Sequence, residues 1–183
     1  MKLFAGDAVA SLSLPSIDGK PFNLDSLKGQ RFMLSFFRFA SCPFCNLRIH
    51  ELVSRFDQFG DGFTIVAIFD SPLDNLQEHA EGHAAPFPIL ADPEKHYYRQ
   101  YGIEHSLTGM LKGMIFRMPT LLKGMMKGYL PFKIRGSLTT MPADFLVDEY
   151  GVIRTAHYGE DEGDHLSFED VQAFSFAPKS TVS

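Results

Sequence analysis

The sequence has no tryptophan and only two cysteines among its 183 residues. Two cysteines cannot supply the several bridges with which small disulfide-rich domains replace a hydrophobic core. Hydrophobic residues make up 45% of the chain and aromatic residues 13%, which is enough to build one core without cross-links. We therefore predict one domain over residues 1–183, in which the cysteines either carry chemistry or pack as small buried hydrophobes.

Positive charge is also scarce, because 17 lysines and arginines are set against 22 aspartates and glutamates and leave a net charge of -5. A negative field repels polyanions, so nucleic-acid binding is not expected. Long hydrophobic runs are missing as well, since polar residues interrupt the N-terminal segment and glycines and cations interrupt residues 107–132. We predict no signal peptide and no stable membrane insertion, and we expect a soluble cytoplasmic protein.

The hydrophobic pattern alternates between strand and helix along most of the chain. Short apolar runs predict strands, and apolar residues that return every three to four positions predict helices. The strands are expected at 8–14 (leading to a turn at Asp18-Gly19), 31–37, 63–69, 87–93 and on both sides of a turn at 148–151; the helices are expected at 43–59, 71–80, 94–101 and after Ser167. This alternation indicates parallel βαβ units in an α/β fold.

Residues 103–140 do not fit a minimal βαβ domain. No acidic residue occurs from His105 to Ala143, and five of the eight methionines lie here. We interpret the segment as an inserted pair of helices broken at Pro119. It is either a cap over the core, or a methionine-lined surface for an apolar substrate, an acidic partner or a lipid surface. The basic residues are Lys112, Arg117, Lys123, Lys127, Lys133 and Arg135, and the methionines are Met110, Met114, Met118, Met125 and Met126.

The two cysteines lie three positions apart in the stretch SCPFC, between the predicted strand 31–37 and the following helix. Cys42 lies at the helix N-terminus, where unpaired N–H groups and the helix dipole stabilise a thiolate, and Pro43 suits the first turn. Cys45 is close enough to form a disulfide with it. A CxxC beside a βαβ unit predicts a thioredoxin-like redox couple. We expect Cys42 to attack, because it lies farther out at the helix entrance and is less buried, although the reverse order stays open.

A zinc site is the alternative chemistry for paired cysteines, and it requires two further ligands. Without more cysteines these would be histidines, and His79 and His83 have the spacing of one helix face. Nothing in the sequence connects them with the cysteines. We therefore predict no metal and no other cofactor.

A proline near the C-terminal strands supports the redox interpretation. Met141–Pro142 directly precedes the predicted strand ADFLVD, and an X–Pro bond can be cis at modest cost. In thioredoxin-like folds a cis-proline at this position lies against the active-site sulfurs and leaves backbone groups free for a substrate. We therefore expect Pro142 to be cis and part of the site.

Three stretches carry a family resemblance: GDAVASLSL with the later DGKPFNLDSLKGQRFMLSFF, FRFASCPFC, and MPADFLVDEYGVI. With them the chain resembles the peroxiredoxin-like branch of the AhpC/TSA (redoxin) superfamily, and within it the proteins related to selenoprotein L. The resemblance implies a thioredoxin-like mixed sheet flanked by helices, with thiol peroxidase or thiol-disulfide chemistry. It implies a peroxide or a partner disulfide as oxidant, and a thioredoxin- or glutaredoxin-like dithiol as reductant.

The chain departs from the family at the motif PxxxTxxC, which typical peroxiredoxins carry before the helix. Alignment on Cys45 puts Arg38 and Cys42 at the proline and threonine positions, and alignment on Cys42 puts Ser35 and Phe39 there. Arg38 lies just beyond the strand, where its charge would favour a thiolate and could bind a peroxide oxygen. The predicted catalytic residues are Cys42, Cys45, Arg38 and Pro142.

We therefore predict a thiol-dependent oxidoreductase that reduces peroxides through a Cys42–Cys45 disulfide. Two alternatives stay open: a thiol-disulfide oxidoreductase, and a redox-sensing module whose thiols switch the insertion for a partner without turnover. Apolar residues exposed on the insertion would also allow a homodimer.

Overall fold

A computed structural model of the chain describes residues 2–103, 105–108, 111, 117–129 and 134–178. Its N-terminal hairpin pairs β1 (Ser13–Pro15) with β2 (Pro21–Asn23) in antiparallel fashion. Gly19 has a φ of +81° in the connecting turn, a conformation that side chains with a Cβ rarely adopt. The predicted hairpin is confirmed, although its first strand begins later than residue 8.

A five-stranded mixed sheet forms the centre of the fold. The strands are β3 (Phe32–Phe36), β4 (Thr64–Phe69), β5 (Ile89–Ala91), β6 (Ala143–Val147) and β7 (Ile153–Tyr158). Their order is β5-β4-β3-β6-β7; β3, β4 and β5 are parallel, and β6 and β7 continue the sheet in antiparallel fashion. All residues of the central strand β3 are buried, as its unbroken apolar run predicts. The predicted thioredoxin-like sheet is confirmed.

Within the described residues, five helices of defined extent surround the sheet: α1 (Pro43–Ser54), α2 (Leu73–Ala80), α3 (His96–Gln100), α4 (Met118–Met126) and α5 (Phe168–Phe176). Single 3-10 turns lie at Leu24–Leu27, Phe56–Gln58 and Glu81–His83. The predicted cap of α5 is confirmed, because the Ser167 side chain accepts a hydrogen bond from the backbone N–H of Asp170. Within the described ranges every helix falls short of the length and apolar character needed to cross a membrane.

The hydrophobic core has two layers, one on each face of the sheet. Met33 and Phe37 lie on the face that packs against α1, α2 and α5, where Leu52 is fully buried. Leu34 and Phe36 lie on the opposite face, and Phe36 contacts Tyr98 and Tyr101 edge-on or tilted at 5.0 Å between ring centroids. The alternation of side chains along β3 therefore fixes the face that lies under α1.

The second predicted helix of the insertion begins beside the predicted break at Pro119. This proline lies in the first turn of α4, which starts at Met118. A helix start tolerates proline because the first N–H groups have no intrahelical partner. The other predicted helix falls largely outside the described residues, as do Met110, Lys112, Met114 and Lys133.

Candidate active site

The two cysteines lie at the junction of β3 and α1. Cys42 is the N-cap of α1, with extended backbone angles, and its carbonyl accepts the backbone N–H of Asn46 at 3.0 Å. The Asn46 side-chain amide donates to the carbonyls of Ala40 and Cys42 at 2.8 and 2.9 Å. Asn46 in turn bonds His83 through its side-chain oxygen at 2.8 Å. These bonds hold the loop that presents the thiols, and they give His83 a partner other than a metal.

Both thiols are closed off from solvent. Cys42 is 0% exposed and Cys45 is 1% exposed, and both are free cysteines. The expectation that Cys42 is the less buried of the two is wrong. Its position at the helix entrance would expose it in a bare βαβ unit, but other parts of the chain cover that entrance here.

The two thiols nevertheless differ in acidity. Burial alone would raise the pKa of Cys42, but the hydrogen bond from the Cys45 thiol, the charge of Arg38 and the backbone N–H groups of Cys45 and Phe44 together lower it to about 7. Burial raises the pKa of Cys45 well above its ordinary value, and the neighbouring Cys42 sulfur raises it further. Cys42 is therefore the thiol that ionises first, which makes it the better nucleophile at neutral pH.

Arg38 lies beside Cys42, where the sequence analysis places it. One guanidinium nitrogen, Nη1, is 3.9 Å from the Cys42 Sγ and 3.9 Å from Glu162 Oε1. The other, Nη2, donates to the carbonyl of Leu138. The Arg38 side chain is buried, so its charge acts on the sulfur with little screening by water.

Glu162 is the residue of this site that sequence reasoning misses. Its side chain is buried, its Oε2 has no hydrogen-bond partner among the described residues, and burial raises its pKa. In the sequence it belongs to the run GEDEGD, which is typical of a solvated acidic loop. No local signal distinguishes it from its neighbours, because only the tertiary fold brings it to Arg38.

Pro142 differs from its prediction. The described residues contain no cis peptide bond, so the Met141–Pro142 bond is trans. Trans is the intrinsically favoured isomer of an X–Pro bond. The carbonyl of Pro142 accepts the backbone N–H of Gly159 at 2.9 Å. That carbonyl is therefore occupied by the protein itself and is not left free for a substrate.

Residues 134–140 pass over the end of β4 beside the site. The Asp70 carboxylate accepts from Thr140 Oγ1 at 2.7 Å and from the backbone N–H of Ser137 at 3.1 Å. Gly136 fits tightly here: a Cβ would lie 2.5 Å from the Asp70 carboxylate and 2.7 Å from the Cβ of Phe39. Burial raises the pKa of Asp70 to about 6, although Thr140 and Ser137 oppose the shift. The insertion is thus fastened to the loop that precedes Cys42.

A second buried polar cluster lies in the sheet under α1. Asp144 on β6 pairs in register with Ser35 on β3, and the Ser35 hydroxyl donates to its carboxylate at 2.5 Å. His165 Nδ1 lies 3.1 Å from the same carboxylate, and the backbone N–H of Leu166 donates to it at 2.8 Å. Burial alone would raise the pKa of Asp144, but His165, with help from Arg48 and Ser35, holds it well below its usual range. The cluster fixes the C-terminal loop that carries Glu162.

The Arg38–Glu162 pair predicts how the acidity of Cys42 responds to mutation. Glu162→Gln is expected to lower the Cys42 pKa below about 7, because Arg38 then keeps an uncompensated charge. Arg38→Met is expected to raise that pKa by about 1 or more. The ultraviolet absorbance of the thiolate, titrated in a Cys45→Ser background, measures both shifts.

Arg55→Met is the matched control for this titration, because Arg55 lies at the far end of α1. The double variant Arg38→Met/Glu162→Gln removes the buried charge that Arg38→Met leaves behind, so it separates loss of acidity from loss of folding. An equal Cys42 pKa in Glu162→Gln, Arg38→Met and the parent would contradict the role given to this pair.

His79 and His83, the two histidines considered for the alternative zinc site, do not form such a site with the cysteines. His79 lies in α2, while His83 lies in the following 3-10 turn and bonds Asn46. Among the residues that the structure describes, no three histidine, cysteine or acidic side chains lie together as metal ligands would. The cysteines therefore have Arg38 and each other as their polar neighbours.

Comparison with known proteins identifies the family of the chain. The sequence profile of the AhpC/TSA family matches residues 5–156. A Mycobacterium tuberculosis (strain H37Rv) protein that carries a peroxiredoxin name is 26% identical over 102 residues. The match covers 55% of this chain and 65% of that protein, so the chain spans slightly less than two thirds of this relative's length.

Solved structures share the fold. The crystal structure of peroxidoxin BcpB from Mycobacterium tuberculosis superposes with a TM-score of 0.70 at 20% identity, covering 97% of this chain and 99% of that one. A thiol peroxidase from Chromobacterium violaceum superposes with a TM-score of 0.64 at 15% identity, covering 93% and 85%. At these identities the likeness concerns the fold alone, and the chemistry has to be argued from the residues.

Proposed function

The chain belongs to the AhpC/TSA family, and we propose that it is a thiol-dependent oxidoreductase in which Cys42 attacks a peroxide and Cys45 resolves the product. The observation that carries the proposal is the position of Cys42, which is the N-cap of α1 and lies 3.9 Å from Arg38 Nη1, with Cys45 in the first turn of the same helix. The pKa of Cys42 falls to about 7 beside Arg38, while burial raises that of Cys45. One thiol is thus prepared to attack and the other to stay protonated until it is needed.

The first step forms a sulfenic acid. The Cys42 thiolate attacks one oxygen of a hydroperoxide, the O–O bond breaks, and the sulfur is oxidised while the leaving alkoxide or hydroxide takes a proton to become alcohol or water. Arg38 Nη1 lies 3.9 Å from the Cys42 sulfur. From there its charge can stabilise the negative oxygen that develops as the O–O bond breaks.

The second step closes a disulfide. The Cys45 sulfur attacks the sulfenic sulfur of Cys42, the S–O bond breaks, and the oxygen leaves as water with the proton of the Cys45 thiol. An external dithiol of the thioredoxin- or glutaredoxin-like kind then reduces the disulfide and becomes a disulfide itself. The position of Cys45 supports this step, because it lies three residues after Cys42 in the first turn of α1 and is close enough to affect the pKa of Cys42.

Thiol-disulfide exchange with a protein substrate is a second candidate function. It is favoured by the CxxC at a helix N-terminus and by the position of Cys42 where typical peroxiredoxins have threonine. The same Cys42 thiolate would then attack a disulfide sulfur and Cys45 would release the mixed disulfide. A sensor that is oxidised once and not turned over is the remaining alternative.

Peroxide treatment of the reduced protein tests the proposal. We expect intact-mass spectrometry to show loss of two hydrogens, and peptide mapping to place a disulfide between Cys42 and Cys45. Multiple turnovers with hydrogen peroxide, an organic hydroperoxide and a protein disulfide, each with excess dithiol, then separate the candidates. Turnover with the protein disulfide alone would refute the peroxidase version, and a single stoichiometric oxidation would indicate a sensor.

A further inference from the structure

Large hydrophobic side chains are exposed along one stretch of the chain. Met126 is 89% exposed and Leu122 is 53% exposed, both on α4. Clustered apolar surface of this kind marks an interaction site, whereas single exposed residues do not. The exposed large hydrophobic residues of the stretch are Leu107, Leu111, Met118, Leu122, Met125, Met126, Ile134 and Leu138, of which Met118, Leu122, Met125 and Met126 form what we term the apolar face of α4.

The apolar face of α4 is turned away from the rest of the protein. Separations of four, seven and eight residues place its side chains on one side of an α-helix. A different side of α4 is packed, because Gly124 is buried against α1, and a Cβ there would lie 3.0 Å from the Cβ of Pro43 and 3.2 Å from Leu47. The helix is therefore held by one side next to the CxxC, and it presents its apolar face to the surroundings.

Positive charge flanks the apolar face. Lys123 and Lys127 are exposed on α4 and line a groove of about 690 Å³ between this helix, α1 and the loop before α5. Two acidic residues, Glu51 and Glu169, also line the groove, but both pair with Arg55. The lysines therefore face the groove with little opposing charge.

We propose that α4 docks on an anionic lipid surface, with its apolar face at the boundary of headgroups and acyl chains and with Lys123 and Lys127 at the level of the phosphates. Apolar side chains flanked by lysines are typical of helices that lie in this interface. Residues 106–142 contain no acidic residue, while the whole chain carries a net charge of -5. The attraction to anionic lipid is thus confined to this patch, and the rest of the chain is repelled.

A second copy of the chain is a poorer occupant of the same patch. A two-fold contact would place the apolar face of α4 against itself. Lys123 and Lys127 of one copy would then approach those of the other, with no acidic residue of the insertion to compensate. An anionic lipid surface offers acyl chains to the apolar face of α4 and phosphates to Lys123 and Lys127, so it can bind both.

The lack of tryptophan allows a site-specific test of this docking. Met126→Trp introduces the only indole, and its fluorescence is followed as vesicles of equimolar phosphatidylcholine and phosphatidylglycerol are added to the full chain. We expect a blue shift as the indole leaves water. With vesicles of phosphatidylcholine alone, the lipid concentration at half-maximal shift should be at least about tenfold higher. The reason is that each lysine near an anionic surface raises the binding affinity about fivefold.

Matched variants test whether the fluorescence shift depends on the apolar face of α4 and on Lys123 and Lys127. Phe4→Trp, at a side chain that is 61% exposed elsewhere on the surface, should show no shift. Lys123→Glu with Lys127→Glu, in the Met126→Trp background, should raise the lipid requirement at least about tenfold, whereas Lys28→Glu should not. Cys42→Ser should leave binding unchanged, which separates docking from the thiol chemistry.

Three outcomes would overturn the proposal. The first is an indole at position 126 that stays in water at every lipid concentration. The second is an equal shift for Phe4→Trp, which indicates nonspecific adsorption. The third is a shift that depends on protein concentration without vesicles, accompanied by a doubled mass in sedimentation, which assigns the patch to a dimer.

Discussion

Replacing Cys42 with serine is expected to lower kcat/KM for peroxide and for disulfide substrates by on the order of 10³-fold or more, as loss of a nucleophile does in other enzymes. Serine keeps the size and the hydrogen bond of the side chain but not its acidity, so the pKa of about 7 that the site creates for Cys42 is lost. Steady-state turnover with excess dithiol is the measurement. For the wild type, the rate should rise with pH around a midpoint near 7, because the thiolate is the reactive form.

Cys45→Ser is the informative partner of this variant. We expect it to react once with peroxide and to accumulate a sulfenic acid at Cys42, which a dimedone adduct reports in the mass spectrum. Turnover through an intramolecular disulfide is then blocked. The opposite result, an active Cys42→Ser and an inert Cys45→Ser, would reverse the order of attack. Full activity in both variants would exclude a mechanism that requires the Cys42–Cys45 disulfide.

The second large effect concerns stability. Asp144→Ala is expected to lower the free energy of unfolding by about 3–5 kcal/mol, because it removes a fully buried acceptor and leaves the Ser35 hydroxyl, His165 and the backbone N–H of Leu166 without their partner. Urea denaturation measures the loss. Asp74→Ala is the matched control: Asp74 pairs with Arg135 on the exposed surface, where water screens the pair, so its loss should change the stability far less than the loss of Asp144.

The Asp144 carboxylate should also make the free energy of unfolding decrease as the pH falls. The pKa of Asp144 is lowered in the folded protein, so its contribution is fully present above the unfolded value of about 3.9 and is lost as pH falls toward the folded value. Asp144→Asn should remove this contribution, and the stability gap between it and the wild type should therefore narrow on acidification below about pH 4. A gap that is constant with pH, or an Asp144→Ala loss near that of Asp74→Ala, would contradict the stabilising role assigned to the Asp144 carboxylate.

Local patterns predicted much of the fold and the position of Arg38 beside the thiols, but not the contact of Arg38 with Glu162. The uninterrupted apolar run at β3 and the three-to-four spacing in α1 are local properties, and so is the position of Cys42 at a helix start. Arg38 could be placed beside the thiols because only three residues separate it from Cys42. These features depend on chain geometry over a few residues, which the sequence records directly.

Tertiary contacts account for what could not be predicted. Glu162 reaches Arg38 from a loop more than a hundred residues away, and the Ser35–Asp144 bond depends on a sheet register that no local pattern encodes. The complete burial of Cys42 is likewise a tertiary property, because its position at a helix start would by itself leave it accessible. The trans bond at Pro142 depends on the backbone path around it, and both isomers are compatible with the sequence Met-Pro.

The complete burial of Cys42 makes the rate of its chemistry a product of two quantities. A reagent in solution can reach a sulfur that is 0% exposed only in the fraction of molecules that are transiently open. The observed rate constant is then the opening equilibrium constant multiplied by the intrinsic reactivity of the thiolate, and each 1.4 kcal/mol of opening free energy slows it about tenfold. Gly136 packs closely against the loop that precedes Cys42, and Gly124 packs closely against α1. Close packing of this kind opposes opening and so lowers the opening equilibrium constant. A small peroxide needs a smaller opening to reach the Cys42 sulfur than a bulky protein disulfide does. The burial of Cys42 can therefore favour one class of oxidant over the other.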